Sequence, residues 1–148
     1  MKGEIIVNNS KIERHNPSLL TGMGIILILV VALIHLIQAP EDLSENTLRG
    51  ILFIIDGVLA LIATIGIYRG SKTWGWGLGL LAAGGALIFF VVSRSIGIPG
   101  WEDSIGEWFE SIGILSCLVE IGFVIVALMA LRQPEEISIR HERAMANS

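Results

Sequence analysis

The chain has 148 residues and a formal net charge of −4 at pH 7; 53% of the residues are hydrophobic and only 16% are charged. With a mean hydropathy of +0.72, this composition excludes an ordinary soluble domain. The lack of a basic patch excludes a nucleic-acid-binding protein, and the single cysteine, Cys117, excludes an intrachain disulfide.

Four charge-poor runs follow one another along the chain. Each has the roughly 20 residues that a helix with a rise of 1.5 Å per residue needs to cross a hydrocarbon core of about 30 Å. We therefore predict an all-α four-helix transmembrane bundle in up-down-up-down order. The predicted membrane domain covers residues 19–132, with spans at 19–38, 48–68, 73–95 and 112–131, between a tail at 1–18 and a tail at 133–148.

The basic residues are distributed unevenly among the connections. Lys and Arg are concentrated in the two tails and between spans 2 and 3, whereas Asp and Glu dominate the other two connections. Cytoplasmic segments carry the Lys/Arg excess in membrane proteins. The pattern predicts a multi-pass protein of the cell membrane, surrounded by the lipid bilayer, with both termini in the cytoplasm.

Span 1 is expected to end near Pro40, and either Ser44 or Asn46 is expected to cap the start of span 2. Span 2 has one face of small or polar residues and bulky aliphatic residues on its other faces. Because small residues let membrane helices approach closely, the small face is predicted to meet other helices and the bulky faces to meet lipid. The small face consists of Asp56, Ala60, Ala63 and Thr64.

Span 3 has a ridge of small residues at helical spacing, which is typical of a close helix–helix contact. Packing inside the bundle is the favoured interpretation. The alternative is a face for a homo-oligomer or for other membrane subunits. The ridge residues are Gly75, Gly79, Ala82 and Ala86.

The segment before span 4 would place five apolar residues on one helical face, with acidic residues opposite. This pattern predicts an amphipathic segment at the outer membrane interface. The five residues are Trp101, Ile105, Trp108, Phe109 and Ile112.

Four ionisable residues lie in or at the edge of the spans: His35, Asp56, Arg94 and Glu120. Ionisable residues inside a membrane span usually face the bundle interior and have a partner. At helical rise, Asp56 and Glu120 are each about 12 Å from the outer ends of their spans, His35 is about 5 Å, and Arg94 is at the rim. The two carboxylates are therefore predicted to share one layer of the bundle.

Two carboxylates in a low-dielectric interior cannot both ionise cheaply, so a shared proton is expected. Arg94 is a candidate to neutralise one carboxylate, and His35 is a candidate to hydrogen-bond another. The cluster is interpreted either as a structural polar network or as a proton- or cation-binding site. A zinc or copper site at His35 is the weakest alternative, because the chain lacks a diagnostic spacing of metal ligands.

The chain has no GxSxG, Walker, HExxH or Rossmann motif, so an enzyme is disfavoured and no cofactor is expected. With its short connections, it is predicted to be a non-enzymatic accessory or assembly subunit. The alternative is a proton- or cation-handling bundle that uses Asp56 and Glu120.

Overall fold

A computed structural model describes residues 19–132; the predicted tails at 1–18 and 133–148 lie outside the described residues. Four α-helices account for most of this range: α1 (Leu19–Glu45), α2 (Thr47–Tyr68), α3 (Trp74–Ser95) and α4 (Ser111–Arg132). Each is long and apolar enough to cross a membrane, with a mean hydropathy of 2.0 to 2.7 in its apolar stretch. The prediction of an all-helical chain with four helices of membrane-spanning length is confirmed.

Helix α1 differs from the expectation, because it continues through Pro40 to Glu45. A proline inside a helix removes one N–H donor and crowds the preceding turn, which is why an end was expected there. Beyond Pro40, Asp42 and Glu45 form ion pairs with Arg49 of α2. These pairs join the last turns of α1 to the first turn of α2, and a single residue separates the two helices.

That single residue, Asn46, is the N-cap of α2. Its side-chain oxygen accepts a hydrogen bond from the backbone N–H of Arg49 at 3.0 Å. This satisfies one of the N–H groups that a helix start leaves without an intrahelical partner. Of the two residues expected to cap span 2, the structure uses Asn46.

The helices pack in a ring in which α1 and α3 each contact both α2 and α4. One half of the bundle is filled by an apolar core, which includes Ile28, Val31 and Phe123. On α2 the small face is turned inward, with Ala60 and Ala63 fully buried, as predicted. The bulky residues of α2 are exposed on the outside of the bundle: Ile54, Val58, Leu61, Ile62 and Ile65.

The small-residue ridge of α3 packs mainly inside the bundle. A Cβ atom on Gly75 would lie 2.6 Å from the backbone of Gly66 in α2, and one on Gly79 would overlap the ring of Phe123 in α4. Ala82 is 1% exposed. The favoured interpretation of the ridge is confirmed at these three positions. Association with another subunit stays a prediction.

The connection between α3 and α4 is not a continuous helix. It has a short 3-10 helix at Glu102–Ser104, followed by turns up to α4. Gly100 and Gly106 adopt φ of 84° and 85°, which L side chains rarely adopt and which interrupts a helix. The apolar residues of this segment therefore do not share one helical face: Trp101 is 4% exposed, whereas Phe109 is 88% exposed.

Candidate functional site

Three of the four predicted site residues meet inside the bundle, each from a different helix. His35 Nε2 of α1 lies 3.5 Å from Asp56 Oδ2 of α2 and 3.8 Å from Glu120 Oε1 of α4. The side chains of His35 and Glu120 are 8% and 2% exposed, and that of Asp56 is 17% exposed. The two carboxylate oxygens are therefore at most 3.5 + 3.8 = 7.3 Å apart, with one imidazole nitrogen between them.

The length of α1 brings His35 to this level. Because α1 ends at Glu45, His35 lies ten residues from the end of its helix, or about 15 Å at 1.5 Å per residue. Asp56 and Glu120 each lie nine residues from the start of their helices, or about 13.5 Å. The distance of about 5 Å expected for His35 assumed that the helix ends near Pro40, whereas α1 continues to Glu45.

The hydrogen bonds of His35 determine which nitrogen faces the carboxylates. Nδ1 lies 2.9 Å from the backbone carbonyl oxygen of Val31. A carbonyl only accepts, so Nδ1 is the donor and carries a proton. Nε2 then meets two carboxylates, and these contacts are attractive only if Nε2 is protonated or a carboxylate holds a proton. The geometry therefore requires at least one proton on Nε2 or on a carboxylate, in addition to the proton on Nδ1.

Glu120 has a further partner on its own helix. The hydroxyl of Ser116, one turn earlier, donates a hydrogen bond of 2.7 Å to Glu120 Oε1. Gly113 and Cys117 lie on the same side of α4 and line the same cavity as Glu120. By contrast, the buried Oδ2 of Asp56 has no hydrogen-bond partner in the described part of the chain.

Arg94 does not join the three residues. Its guanidinium donates to a carboxylate oxygen of Glu110 at 2.5 Å and to the backbone oxygen of Glu107 at 3.1 Å. It also lies 4.8 Å from the centre of the Phe90 ring. Arg94 was expected to reach down and neutralise a buried carboxylate, but the structure engages it nearer the end of the bundle, where Glu110 is the closer acid.

The cluster opens into a cavity of about 800 Å³ that is lined by all four helices and by the connection before α4. The cluster is linked to the apolar core through the bond from His35 Nδ1 to the carbonyl of Val31, which is a core residue. The lining has eight carboxylates and two arginines, for a formal charge of 2 − 8 = −6 with His35 neutral. The carboxylates belong to Glu41, Asp42, Glu45, Asp56, Asp103, Glu107, Glu110 and Glu120.

The second arginine, Arg49, joins three elements near the mouth of the cavity. It contacts Asp42 at 2.6 Å and Glu45 on α1, and Asp103 of the connection before α4 at 3.7 Å. Its guanidinium also lies 6.0 Å from the ring of Trp101. Sequence reasoning did not select Arg49. The available signal was that it is the only base in an otherwise acidic connection.

Trp101 was also missed as a site residue, because its position suggested a membrane-interface aromatic. It lines the cavity and is 4% exposed. Its Nε1 is buried and has no hydrogen-bond partner among residues 19–132. Buried indole N–H groups usually have a partner, so this donor is unsatisfied within the described residues.

Within residues 19–132, no group of three or more His, Cys, Asp or Glu side chains is arranged to hold a metal ion. The geometry therefore adds no support for a metal at His35, and that alternative stays a prediction.

Outside the membrane-length helices, the Glu102 carboxylate accepts a hydrogen bond of 3.0 Å from the backbone N–H of Gly100. This bond holds the pKa of Glu102 below its ordinary value. Glu102 does not line the cavity. It therefore provides a matched control for changes to acids that do.

Comparisons of the chain with protein-family models, with curated proteins and with solved structures found no match.

Proposed function

We propose that this chain is a small multi-pass membrane protein that binds a proton or another monovalent cation at His35, Asp56 and Glu120. One observation carries the proposal: two carboxylates approach the same imidazole nitrogen in the lining of a strongly acidic cavity. An ionisable residue inside a membrane span is costly and is by default a candidate functional site.

The charge of the cluster supports a monovalent cation. With both carboxylates ionised, the three side chains have a charge of −2 if His35 is neutral and −1 if it is protonated. When His35 is protonated, one further positive charge makes the three side chains neutral together. This lowers the free-energy cost of placing the cluster between membrane helices. A proton and a monovalent cation satisfy this requirement equally well, so they are expected to compete.

We place the helices across the cell membrane in up-down-up-down order, with both termini in the cytoplasm. The Lys/Arg excess in the tails and in the connection between α2 and α3 supports this orientation. The cavity would then open to the outside of the cell and the apolar core would lie in the cytoplasmic half, so protons would cross that half only when the helices there separate. In this arrangement the exposed Phe109 lies at the outer interface, as is typical of an aromatic belt.

The test is proton movement into liposomes that contain the purified protein and a pH-sensitive dye. We expect the wild type to move protons down a gradient, and Asp56→Asn and Glu120→Gln each to abolish the movement. Glu102→Gln removes one carboxylate outside the cavity, and its amide oxygen still accepts from Gly100, so it should behave as the wild type. Unchanged flux in the Asp56→Asn/Glu120→Gln double variant would refute the proposal.

An accessory or assembly subunit, which the sequence favoured, stays a prediction and is compatible with a cation site. Purification in a mild detergent would then yield a second protein in fixed stoichiometry. A clean monomer that retains proton movement would contradict it.

A further inference from the structure

We propose that the cavity binds an amphipathic organic amine. Such a ligand has a protonated primary or secondary amine at one end, an apolar body, and a hydrogen-bond acceptor further along. This inference rests on the proposed function, because the same cluster would bind the positive charge. It goes beyond that function by defining the chemical class of the ligand.

The charges of the lining select a cation over an anion. Both arginines are already engaged by acids, Arg49 by Asp42, Glu45 and Asp103, and Arg94 by Glu110. An anion would therefore have to displace a carboxylate from an arginine in a cavity with a formal charge of −6. A cation meets a buried carboxylate oxygen beside the imidazole, because Asp56 Oδ2 lies 3.5 Å from His35 Nε2 and has no hydrogen-bond partner in the described structure.

The size of the cavity favours an organic ligand over an inorganic ion. A water molecule in the liquid occupies about 30 Å³, whereas the cavity has about 800 Å³. That volume is within the range of about 300–1,000 Å³ for small-molecule sites. The walls include Phe53, Leu59 and Phe89, which offer apolar and aromatic surface to a ligand body.

The deep end is suited to an amine with N–H groups. Glu120 Oε1 already accepts from Ser116, but Asp56 Oδ2 accepts from no described residue. A protonated primary or secondary amine supplies both charge and a donor, whereas a quaternary ammonium supplies only charge. The ring of Phe53 lies 5.1 Å from the His35 ring, so an ammonium at the cluster would also lie near an aromatic face.

The mouth supplies an independent observation. Trp101 is 4% exposed and lines the cavity, yet its Nε1 donor has no partner in the described range. Its ring is held between Phe89, at a centroid distance of 6.3 Å, and the guanidinium of Arg49. The connection that carries it is tied to α2 by the Asn46 side chain, which donates to the Gly100 carbonyl at 2.7 Å. A fixed, buried donor at this point matches an acceptor on the ligand.

The first experiment measures binding by isothermal titration calorimetry, with the full chain in phosphatidylcholine nanodiscs and protein-free discs as the blank. The probes are 4-phenylbutylamine, its N,N,N-trimethyl counterpart and 4-phenylbutan-1-ol. We expect the amine to bind about tenfold more tightly than the quaternary ion, from one charge-assisted hydrogen bond, and the alcohol to bind more weakly still. Equal affinities of amine and alcohol would overturn the inference, and equal affinities of the amine and quaternary ion would overturn the donor requirement.

Variants then locate the two ends of the ligand. Asp56→Asn should remove the preference for the amine over the quaternary ion, whereas Glu102→Gln should preserve it. A probe with a para-acetyl group on the phenyl ring should bind about three- to tenfold more tightly than the parent amine, the gain of one neutral hydrogen bond. Trp101→Phe should remove that gain, measured as the ratio of the affinities of the two probes for the same variant. A gain that survives Trp101→Phe would overturn the role of the indole.

The result separates this inference from the proposed function. If proton movement depends on Asp56 and Glu120 but the amines bind no better than the alcohol, only the ligand class is overturned. Loss of both results would overturn both proposals. The comparison among probes uses the wild-type protein, so it remains decisive even if a variant fails to fold.

Discussion

The native cysteine offers a direct test of the cavity and of its charge. Cys117 is the only cysteine of the chain, is partly buried, and lines the cavity three residues before Glu120. A thiol reagent with a positive charge should therefore reach and modify it faster than one of similar size with a negative charge. Suitable reagents are the trimethylammonium-ethyl and sulfonato-ethyl methanethiosulfonates.

The size of the preference follows from the charges of the lining. One unit charge about 10 Å from the thiol contributes about 0.4 kcal/mol in water. Screening over a Debye length of about 8 Å lowers this to about 0.1 kcal/mol. Because the cluster holds at least one proton, the formal charge of the lining is −6 + 1 = −5. Five net negative charges then attract a cation by about 0.6 kcal/mol and repel an anion equally. The difference of about 1.2 kcal/mol is about an eightfold ratio of rates.

The assay follows mass addition to the protein in liposomes of neutral lipid, with each rate divided by that of the same reagent with a free small thiol. Cys117→Ala should abolish labelling. The matched control is Phe109→Cys in the Cys117→Ala background, because Phe109 is 88% exposed in the connection before α4 and does not line the cavity. A normalised ratio near one at Cys117, or the same ratio at both positions, would refute the charge and location of the cavity.

Two further predictions concern packing and the mouth. Gly79→Val should lower the free energy of unfolding by about 1–3 kcal/mol through overpacking against Phe123. Gly84→Val, at a position where an added Cβ has nothing within 4 Å, should lower it by less. Equal thermal stability of the two variants in detergent would contradict the close helix contact. Arg49→Gln should cost about 1.5–3 kcal/mol, because it removes the charged partner of a mostly buried acid. Asp103→Asn should cost less than about 1 kcal/mol, because that carboxylate is 70% exposed. Equal losses of unfolding free energy in Arg49→Gln and Asp103→Asn would show that the contacts of Arg49 with α1 add no stability.

The sequence determined the helices because a membrane imposes a strong local requirement. A helix satisfies all its backbone hydrogen bonds within its own segment, and it needs about 20 apolar residues to cross the hydrocarbon core. Hydropathy and length therefore locate it without knowledge of its neighbours. The inward face of α2 was predictable for a similar reason: Ala60 and Ala63 stand out as small residues among bulky ones, and helical periodicity places them on one side.

The tertiary structure decided which ionisable groups meet. The contact of His35 with Asp56 and Glu120 depends on α1 continuing past Pro40, and the residues that hold the last turns of α1 to α2 are paired across two helices. Local propensity points to an end at a proline, so only interhelical contacts could override it. Arg94 shows the same limit, since its long side chain could reach several acids and the fold places Glu110 beside it.

The cavity likewise exists only in three dimensions. Its walls combine side chains from four helices and one connection, and its volume depends on how completely they fill the space between them. Periodicity identifies the residues that face inward, but it does not show whether their side chains meet or leave a gap. The two carboxylates could be identified from the sequence, because acidic residues are unusual in a membrane span. Only the packed structure shows that they share one imidazole, that an acidic cavity adjoins them and that the indole of Trp101 is buried.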